Sequence, residues 1–314
     1  MSLERTLELA ERGRGSVEPT HPLVGALLVR DGEVVGEGWY AGPGSPHAEV
    51  AALTAAGERA RGSTLYVSLE PCSHQGTTPP CADAVAKAGV ARVVAAVGDP
   101  NPKVDGRGFE RLRAAGVEVE VADLWEARLQ NEAWRVWIAR GRPFVTYKVA
   151  MTLDGRVTVP GSRWVSGEAS RRRVHELRAS VDAVAVGMGT VRADDPALTA
   201  RGVGAVTQPR RLAFGRGPLA EGSELEVRSG PLEEELRTLA ADGVRSLLLE
   251  GGPTLAASFL AADLVDKLLV FVAPTLAGEG AGPVAALPEP RTLTRLTSEP
   301  VRDDVLLTAY LHEP

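Results

Sequence analysis

Glu70-Pro-Cys-Ser-His-Gln-Gly-Thr-Thr-Pro-Pro-Cys81 holds both cysteines of the 314-residue chain, Cys72 and Cys81. The β-branched and apolar run Thr64–Leu69 before it reads as a buried strand. Ala82–Ala88 after it reads as a helix that stops at Gly89. The spacing therefore puts Cys72 at the end of a strand and Cys81 near the start of a helix, with two prolines stiffening the approach to Cys81. Upstream, His47-Ala-Glu49 opens a further helical pattern that runs to Ala56. One imidazole and two thiols suit zinc, and a catalytic zinc keeps its fourth position for water. Glu49 would then be the base beside that water rather than a ligand, the arrangement of the zinc deaminases. Eight residues separate the cysteines here, not the two of the nucleic-acid deaminases. A His-x-Glu pair alone is common, and two cysteines alone are usually small buried hydrophobes. The four residues in this order favour a zinc site over the alternative, a Cys72–Cys81 disulfide, which would need an oxidising compartment.

The length suits two domains. A net charge of −6 argues against phosphate-mediated nucleic-acid binding, and no apolar run is long enough for a membrane span. The first ten residues are charged and amphipathic rather than signal-like, so the cytoplasm is the expected location.

The pattern alternates along the chain. A helix is expected over Leu3–Arg12, then a hairpin of Ala26–Val29 and Glu33–Trp39 turning at Asp31-Gly32. After the cysteine loop come a strand at Arg92–Val97, a helix at Gly106–Ala115, a strand at Val117–Val121 and one long helix at Asp123–Ala139. Gly141-Arg-Pro143 ends that helix, which puts the domains at 1–142, with 123–139 as the linking helix, and 143–314. The second half reads as strands at Phe144–Ala150, Val181–Gly187, Arg210–Phe214, Ser246–Glu250 and Lys267–Val272. Between them fall helices at Glu168–Ala179, Leu232–Ala241 and Leu255–Ala262. Arg216–Ser229 reads as a polar surface loop. In the first half such alternation implies an α/β layered architecture.

His47-Ala-Glu49, the Glu70–Cys81 stretch and Asp99-Pro-Asn-Pro-Lys-Val-Asp-Gly-Arg-Gly108 together resemble the bifunctional riboflavin-biosynthesis deaminase/reductase family. The second half resembles its reductase domain through Lys148-x-Ala-x-Thr-Leu-Asp-Gly-Arg156, Ser162-x-Trp164, Gly187-x-Gly-Thr190, Asp194-Asp-Pro-Ala-Leu-Thr199 and Glu250-Gly-Gly-Pro-Thr-Leu255. The resemblance implies a cytidine-deaminase-like α/β/α zinc domain followed by a dihydrofolate-reductase-like α/β domain. It implies zinc on His47, Cys72 and Cys81 between two helix N-termini, with Glu49 moving protons. It also implies NADPH as the second cofactor, a phosphorylated pyrimidine as substrate and a dimer or tetramer.

For the reductase half, Gly251-Gly252 between a strand and a helix would let backbone approach a pyrophosphate at a helix N-terminus. Gly187-x-Gly189-Thr190 offers a second such turn, and neither is the Rossmann fingerprint. Each alone could be an ordinary strand-to-helix turn. Through the resemblance, Gly187, Gly189, Thr190, Gly251, Gly252 and Thr254 become cofactor candidates. Lys148, Asp194 and Glu250 become catalytic candidates for polarising the sugar oxygen and moving protons. Ser162, Trp164, Arg178 and Arg201 become candidates for the substrate's ribose phosphate.

The chain departs from the family at three substrate positions: His21 in Thr20-His21-Pro22 where Pro-Asn-Pro is usual, Tyr40 where a His is usual, and Thr77 where a Lys or Arg is usual. His21 could still hydrogen-bond the pyrimidine ring. Gly215 also replaces a usual Asp. Two alternatives stay open on the sequence: a changed pyrimidine or pterin substrate, and a working reductase with a non-catalytic zinc scaffold.

Overall fold

Asp31 and Gly32 take left-handed backbone, at φ 52° and 81°, and close β1 (Gly25–Arg30) onto β2 (Glu33–Trp39) as a two-residue hairpin. The structure is a computed structural model that describes residues 2–18, 20–76 and 79–314; Thr77 lies outside the described residues. The chain divides into two compact units, one running to Arg140 and one over Gly141–Glu313.

In the first unit β3 (Thr64–Val67), β4 (Arg92–Ala95) and β5 (Glu118–Val121) complete a mixed sheet of order β2-β1-β3-β4-β5. Only the β3–β4 and β4–β5 pairs are parallel. Helices α2 (Ala48–Ala56), α3 (Cys81–Lys87) and α4 (Arg107–Ala114) cover one face with Ala48, Ala52, Val85 and Leu112. Helix α1 (Ser2–Glu11) and the helices α5 (Trp125–Gln130) and α6 (Glu132–Arg140) gather Leu3, Leu7, Ala127 and Trp134 around Leu69 and Val97. α2 lies so close to β2 that a Cβ on Gly36 or Gly38 would strike the Ala52 or Ala48 carbonyl oxygen. That contact fixes the start of α2, which His47 immediately precedes.

The expected single helix over 123–139 is two. Asn131 leaves helical backbone at φ −120° and turns its amide onto Leu23, accepting from Leu23 N–H at 2.8 Å and donating to the Leu23 carbonyl at 2.9 Å. A buried amide that replaces a β-ladder partner outweighs local helix periodicity. Trp134 Nε1 donates to the Thr20 carbonyl at 3.2 Å, so the broken helix pins the segment that carries His21.

The second unit is an eight-stranded sheet of order β12-β13-β11-β6-β10-β7-β8-β9. Its strands β6 (Phe144–Thr152), β7 (Ala183–Gly187), β8 (Arg210–Phe214), β9 (Glu226–Arg228), β10 (Ser246–Leu249) and β11 (Lys267–Ala273) are parallel to their neighbours among themselves. Helices α7 (Glu168–Ser180) and α8 (Met188–Asp194) pack with Leu177, Met188 and Val191 against Val184 and Leu248. α9 (Leu232–Ala241) and α10 (Pro253–Ala261) pack with Leu236, Leu239 and Phe259 against Val145 of β6 and against Ala185 and Leu249, the neighbours of Val184 and Leu248 on β7 and β10 that point to the other face. β10 enters between β6 and β7, and crevices of this kind, at the carboxyl ends of parallel strands, are where α/β sheets bind ligands.

Two further differences from the sequence reading appear here. Part of the expected 216–229 loop is the short edge strand β9. The antiparallel hairpin β12 (Thr294–Val301) and β13 (Asp304–Tyr310) has no counterpart in that reading. It is structural in one respect: Asp304 accepts from Gly167 N–H at 2.8 Å and from Ser170 Oγ, fastening the start of α7.

Candidate active sites

In the first unit, His47 immediately precedes α2, Cys81 is the first residue of α3, and Cys72 lies in the loop after β3. His47 Nδ1 is 3.2 Å from Cys81 Sγ and 3.7 Å from Cys72 Sγ, and the three ligand atoms lie within 4.8 Å of one another. Tetrahedral zinc with bonds of 2.0–2.3 Å sets ligand–ligand edges of roughly 3.5–3.8 Å, so this donor set fits the ion. Both thiols are free, which removes the disulfide alternative. The hydrogen bond from Cys81, with His47 beside it, draws the Cys72 thiol down to about 4, while the same bond and burial push Cys81 up. Cys81 N–H, at the start of α3, also donates to Cys72 Sγ at 3.3 Å, a helix-terminal bond that favours negative charge on that sulfur.

Glu49 is 3% exposed, and its carboxyl is pushed up to about 7, first by burial and then by the Cys72 charge. It lines a cavity of about 300 Å³ together with His47, Cys72, His21, Tyr40 and Asn101. His21 and Tyr40 form one wall, ring centroids 5.5 Å apart, with Tyr40 set edge-on to His47 at 5.8 Å. Burial pushes the Tyr40 hydroxyl up, so the wall offers a neutral phenol.

Glu70 holds the loop behind the cavity. Its Oε1 accepts from Gly108 N–H at 2.9 Å and Phe109 N–H at 3.3 Å, and its Oε2 from Gly106 N–H at 3.1 Å and Asp99 N–H at 3.3 Å. One carboxylate thus ties the N-terminus of α4 to the residue pair that precedes Cys72. Gly108 is required there, because a Cβ would strike the Pro71 carbonyl oxygen. Asp99, in the same loop, is also buried, and burial pushes it up to about 7.

In the second unit Glu250 follows β10 and meets two cations. Lys148 Nζ, from β6, is 2.8 Å from Oε2; Arg178, from α7, gives Nε to Oε1 at 2.6 Å and Nη2 to Oε2 at 3.0 Å. Burial alone would raise this carboxyl, but Lys148 and Arg178 outweigh it and hold Glu250 down to about 2. Arg178, expected at the substrate phosphate, is engaged by Glu250. Asp194 ends α8, is exposed, and makes no hydrogen bond or ion pair with Lys148 or Glu250 among the described residues. The two glycine turns do meet: a Cβ on Gly252 would lie 3.5 Å from Thr190 Oγ1, and one on Gly187 would lie 3.4 Å from Leu255 Cβ. Gly252 precedes α10 with no side-chain cap, leaving the first N–H groups of Pro253–Ala261, including that of Thr254, open to an acceptor. Gly189 sits in the first turn of α8 with open space around its Cα. Ser162 Oγ donates to the Trp164 carbonyl and accepts from Trp164 N–H. The Trp164 ring, half-exposed, lies between the guanidiniums of Arg163 and Arg171 at 4.9 and 5.0 Å. Arg201 is exposed.

Comparison with known proteins joins the two sites. The family model of the RibD C-terminal domain matches residues 143–307, and that of the cytidine and deoxycytidylate deaminase zinc-binding region matches residues 2–97. The riboflavin biosynthesis protein RibD of Aquifex aeolicus (strain VF5) is 40% identical, over 88% of this chain and 87% of its own. The chain belongs to the RibD family. Acinetobacter baumannii RibD, form 1, superposes with a TM-score of 0.79 at 36% identity, covering 98% of this chain and 97% of its own. A diaminohydroxyphosphoribosylaminopyrimidine deaminase/5-amino-6-(5-phosphoribosylamino)uracil reductase from Thermotoga maritima gives 0.78 at 32% identity over the same shares.

As a RibD enzyme the chain is bifunctional in riboflavin biosynthesis, a deaminase that binds zinc and a reductase that uses NADPH, acting on a small pyrimidine. Among the described residues no helix is long and apolar enough to cross a membrane. Residue type and order led the sequence reading to His47, Cys72 and Cys81, but not to the Glu70 cradle, to the burial of Asp99, or to Asn131, whose partners lie 29 to 108 positions away. The only local signal was Asp99-Pro-Asn-Pro102, a turn-forming run.

Proposed function

We propose that the first unit hydrolyses the 2-amino group of 2,5-diamino-6-(ribosylamino)-4-pyrimidinone 5′-phosphate, and that the second reduces the ribosyl side chain of the product to ribityl. The observation that carries the reading is Glu49, buried at the cavity wall two residues from a metal ligand with its carboxyl near neutrality. When bound, zinc supplies Lewis-acid activation of water. Glu49 takes one proton from the attacking water and hands it to the ring nitrogen, then carries the remaining hydroxyl proton of the tetrahedral adduct to the amino group, which departs as ammonia as the C=O forms, so C–N is exchanged for C–O. His21 and Asn101 face the pyrimidine from the cavity wall.

In the reductase unit NADPH supplies the hydride. C1′ gains it, the C1′–O4′ bond breaks and O4′ takes a proton. Lys148 is the donor to that oxygen. Glu250, ionised throughout because of its two cations, orients Lys148 rather than carrying a proton itself. Asp194, exposed at the end of α8, is the third group assigned to this proton transfer. Gly187, Gly189, Thr190, Gly251, Gly252 and Thr254 bind the cofactor phosphates, and Ser162, Trp164 and Arg201 the substrate's ribose phosphate. The support for the cofactor assignment is the junction of the two glycine turns at the uncapped start of α10.

Zinc-loaded protein given the diaminopyrimidine phosphate and NADPH tests the reading when ammonia and NADPH absorbance are followed separately. Both signals are expected. NADPH consumption only on deaminated substrate, with no ammonia, would instead support a changed deaminase substrate, which the His21–Tyr40 wall favours as a second reading. We also propose a cytoplasmic homo-oligomer. Its support is β12, exposed along seven of its eight residues with Leu296 bare. Light scattering that returned one chain's mass, 33.0 kDa, would overturn the oligomer.

A further inference from the structure

Thr199-Ala200-Arg201 belongs to no strand or helix, yet side chains hold each of its residues by the backbone. Arg178 Nη1 donates to the Thr199 carbonyl at 3.2 Å. The Gln208 amide accepts from Ala200 N–H at 2.8 Å and donates to the Ala200 carbonyl at 3.0 Å, as a neighbouring strand would. His175 Nδ1 lies 3.2 Å from Arg201 N and 3.1 Å from the Thr199 carbonyl oxygen. The preceding Leu198 is buried in left-handed backbone, φ 52°, a conformation that persists only where the surroundings over-determine it.

One ring nitrogen cannot donate and accept at once. Arg178 already satisfies the Thr199 carbonyl, whereas Arg201 N–H has no other acceptor among the described residues. The consistent assignment is a neutral His175 that accepts at Nδ1 and carries its proton on Nε2. Burial and the nearby Arg178 and Arg201 charges push this imidazole down and outweigh the Thr199 carbonyl and Glu250, which keeps the ring neutral. Arg171, His175 and Arg178 recur at i, i+4 and i+7 on α7, so the helix face that fastens this segment also carries the partner of Glu250.

We propose that His175 and Gln208 are positioning residues of the reductase site, fixing the Thr199–Arg201 backbone so that the Arg201 guanidinium meets the substrate's phosphate. This rests on the assignment of Arg201 under the proposed function. Neither residue touches a reacting atom.

Reductase kinetics on the full zinc-loaded chain, with NADPH and 5-amino-6-(5-phosphoribosylamino)uracil, provide the test. His175→Phe is expected to raise KM for this substrate roughly tenfold, the size of one lost hydrogen bond at a charged site, with kcat much less affected. His175→Asn, whose Oδ1 can accept where Nδ1 does, is expected to recover most of the loss. Gln208→Ala should move KM in the same direction. The dephosphorylated substrate should show no such change, and ammonia release by the deaminase should be that of the unmodified chain. An unchanged KM in His175→Phe, or a fall in kcat alone, would overturn the proposal. Arg201→Ala separates the two layers: an unchanged KM there refutes the phosphate assignment, whereas a raised KM there beside an unchanged one in His175→Phe refutes the clamp. Should His175→Phe fold poorly, ¹⁵N shifts of the unmodified chain decide, since it has only five histidines to assign. An unprotonated Nδ1 at His175 is expected, and a protonated one rejects the assignment.

Discussion

Glu250 stands between Lys148 and Arg178, and its charge state has a measurable consequence. Its folded value of about 2 lies below the ordinary 4.5, so the ionised form is the one the fold favours. The stability this contributes is fully present above pH 4.5 and is lost as pH falls toward 2, an amount on the order of 3 kcal/mol. Glu250→Gln should lower stability at pH 7 by about 3 kcal/mol, because two partly buried cations lose their partner. That gap should narrow steadily as denaturation is repeated from pH 5 to pH 2; a gap independent of pH would show that the ion pairs are not its source. Glu49→Gln acts on a different reaction. Ammonia release should fall roughly a thousandfold, the usual range for a lost general acid–base. NADPH oxidation on deaminated substrate should be untouched. A variant that retained ammonia release would refute the assignment of Glu49.

At the level of elements, the loops matter more than the helices for the deaminase cavity. Asn131 breaks one expected helix to bind Leu23, so Asn131→Ala leaves a buried N–H and a buried carbonyl unpaired. A loss of about 2–4 kcal/mol is expected in urea unfolding, offset only slightly by better helix propensity. Glu70→Gln replaces an acceptor of four N–H groups by a group that can accept only on one side. It should cost about 3 kcal/mol and weaken zinc retention, read by chelator competition. These same elements mark what the sequence made legible. His47, Cys72, Cys81 and Glu49 could be read because their chemistry is carried by residue type, and the strands and helices around them because their periodicity is local. The Asn131 break could not, because the helical period continues through it and its cause lies 108 residues away. β12 could not either, because a strand exposed on both faces shows no alternation and this one contains Pro300. The Lys148–Glu250–Arg178 cluster was half legible: the residues were singled out, but their mutual pairing needed coordinates.

For the molecule as a whole, two chemistries depend on different cofactors held in different compact units. Prolonged chelation is therefore expected to abolish ammonia release while leaving NADPH oxidation on deaminated substrate within about twofold, and added zinc should restore the first activity. Parallel loss of both activities on chelation would contradict that division.

Cys72 and Cys81 are the only sulfhydryls of the chain, and both face His47. Any alkylating reagent therefore has no background to report. Brief exposure to iodoacetamide followed by intact-mass measurement divides a preparation into unmodified chains, whose sulfurs were occupied, and heavier chains, whose sulfurs were bare. The protein thus carries an internal tally of its own metal content, readable on crude samples and before any assay is run.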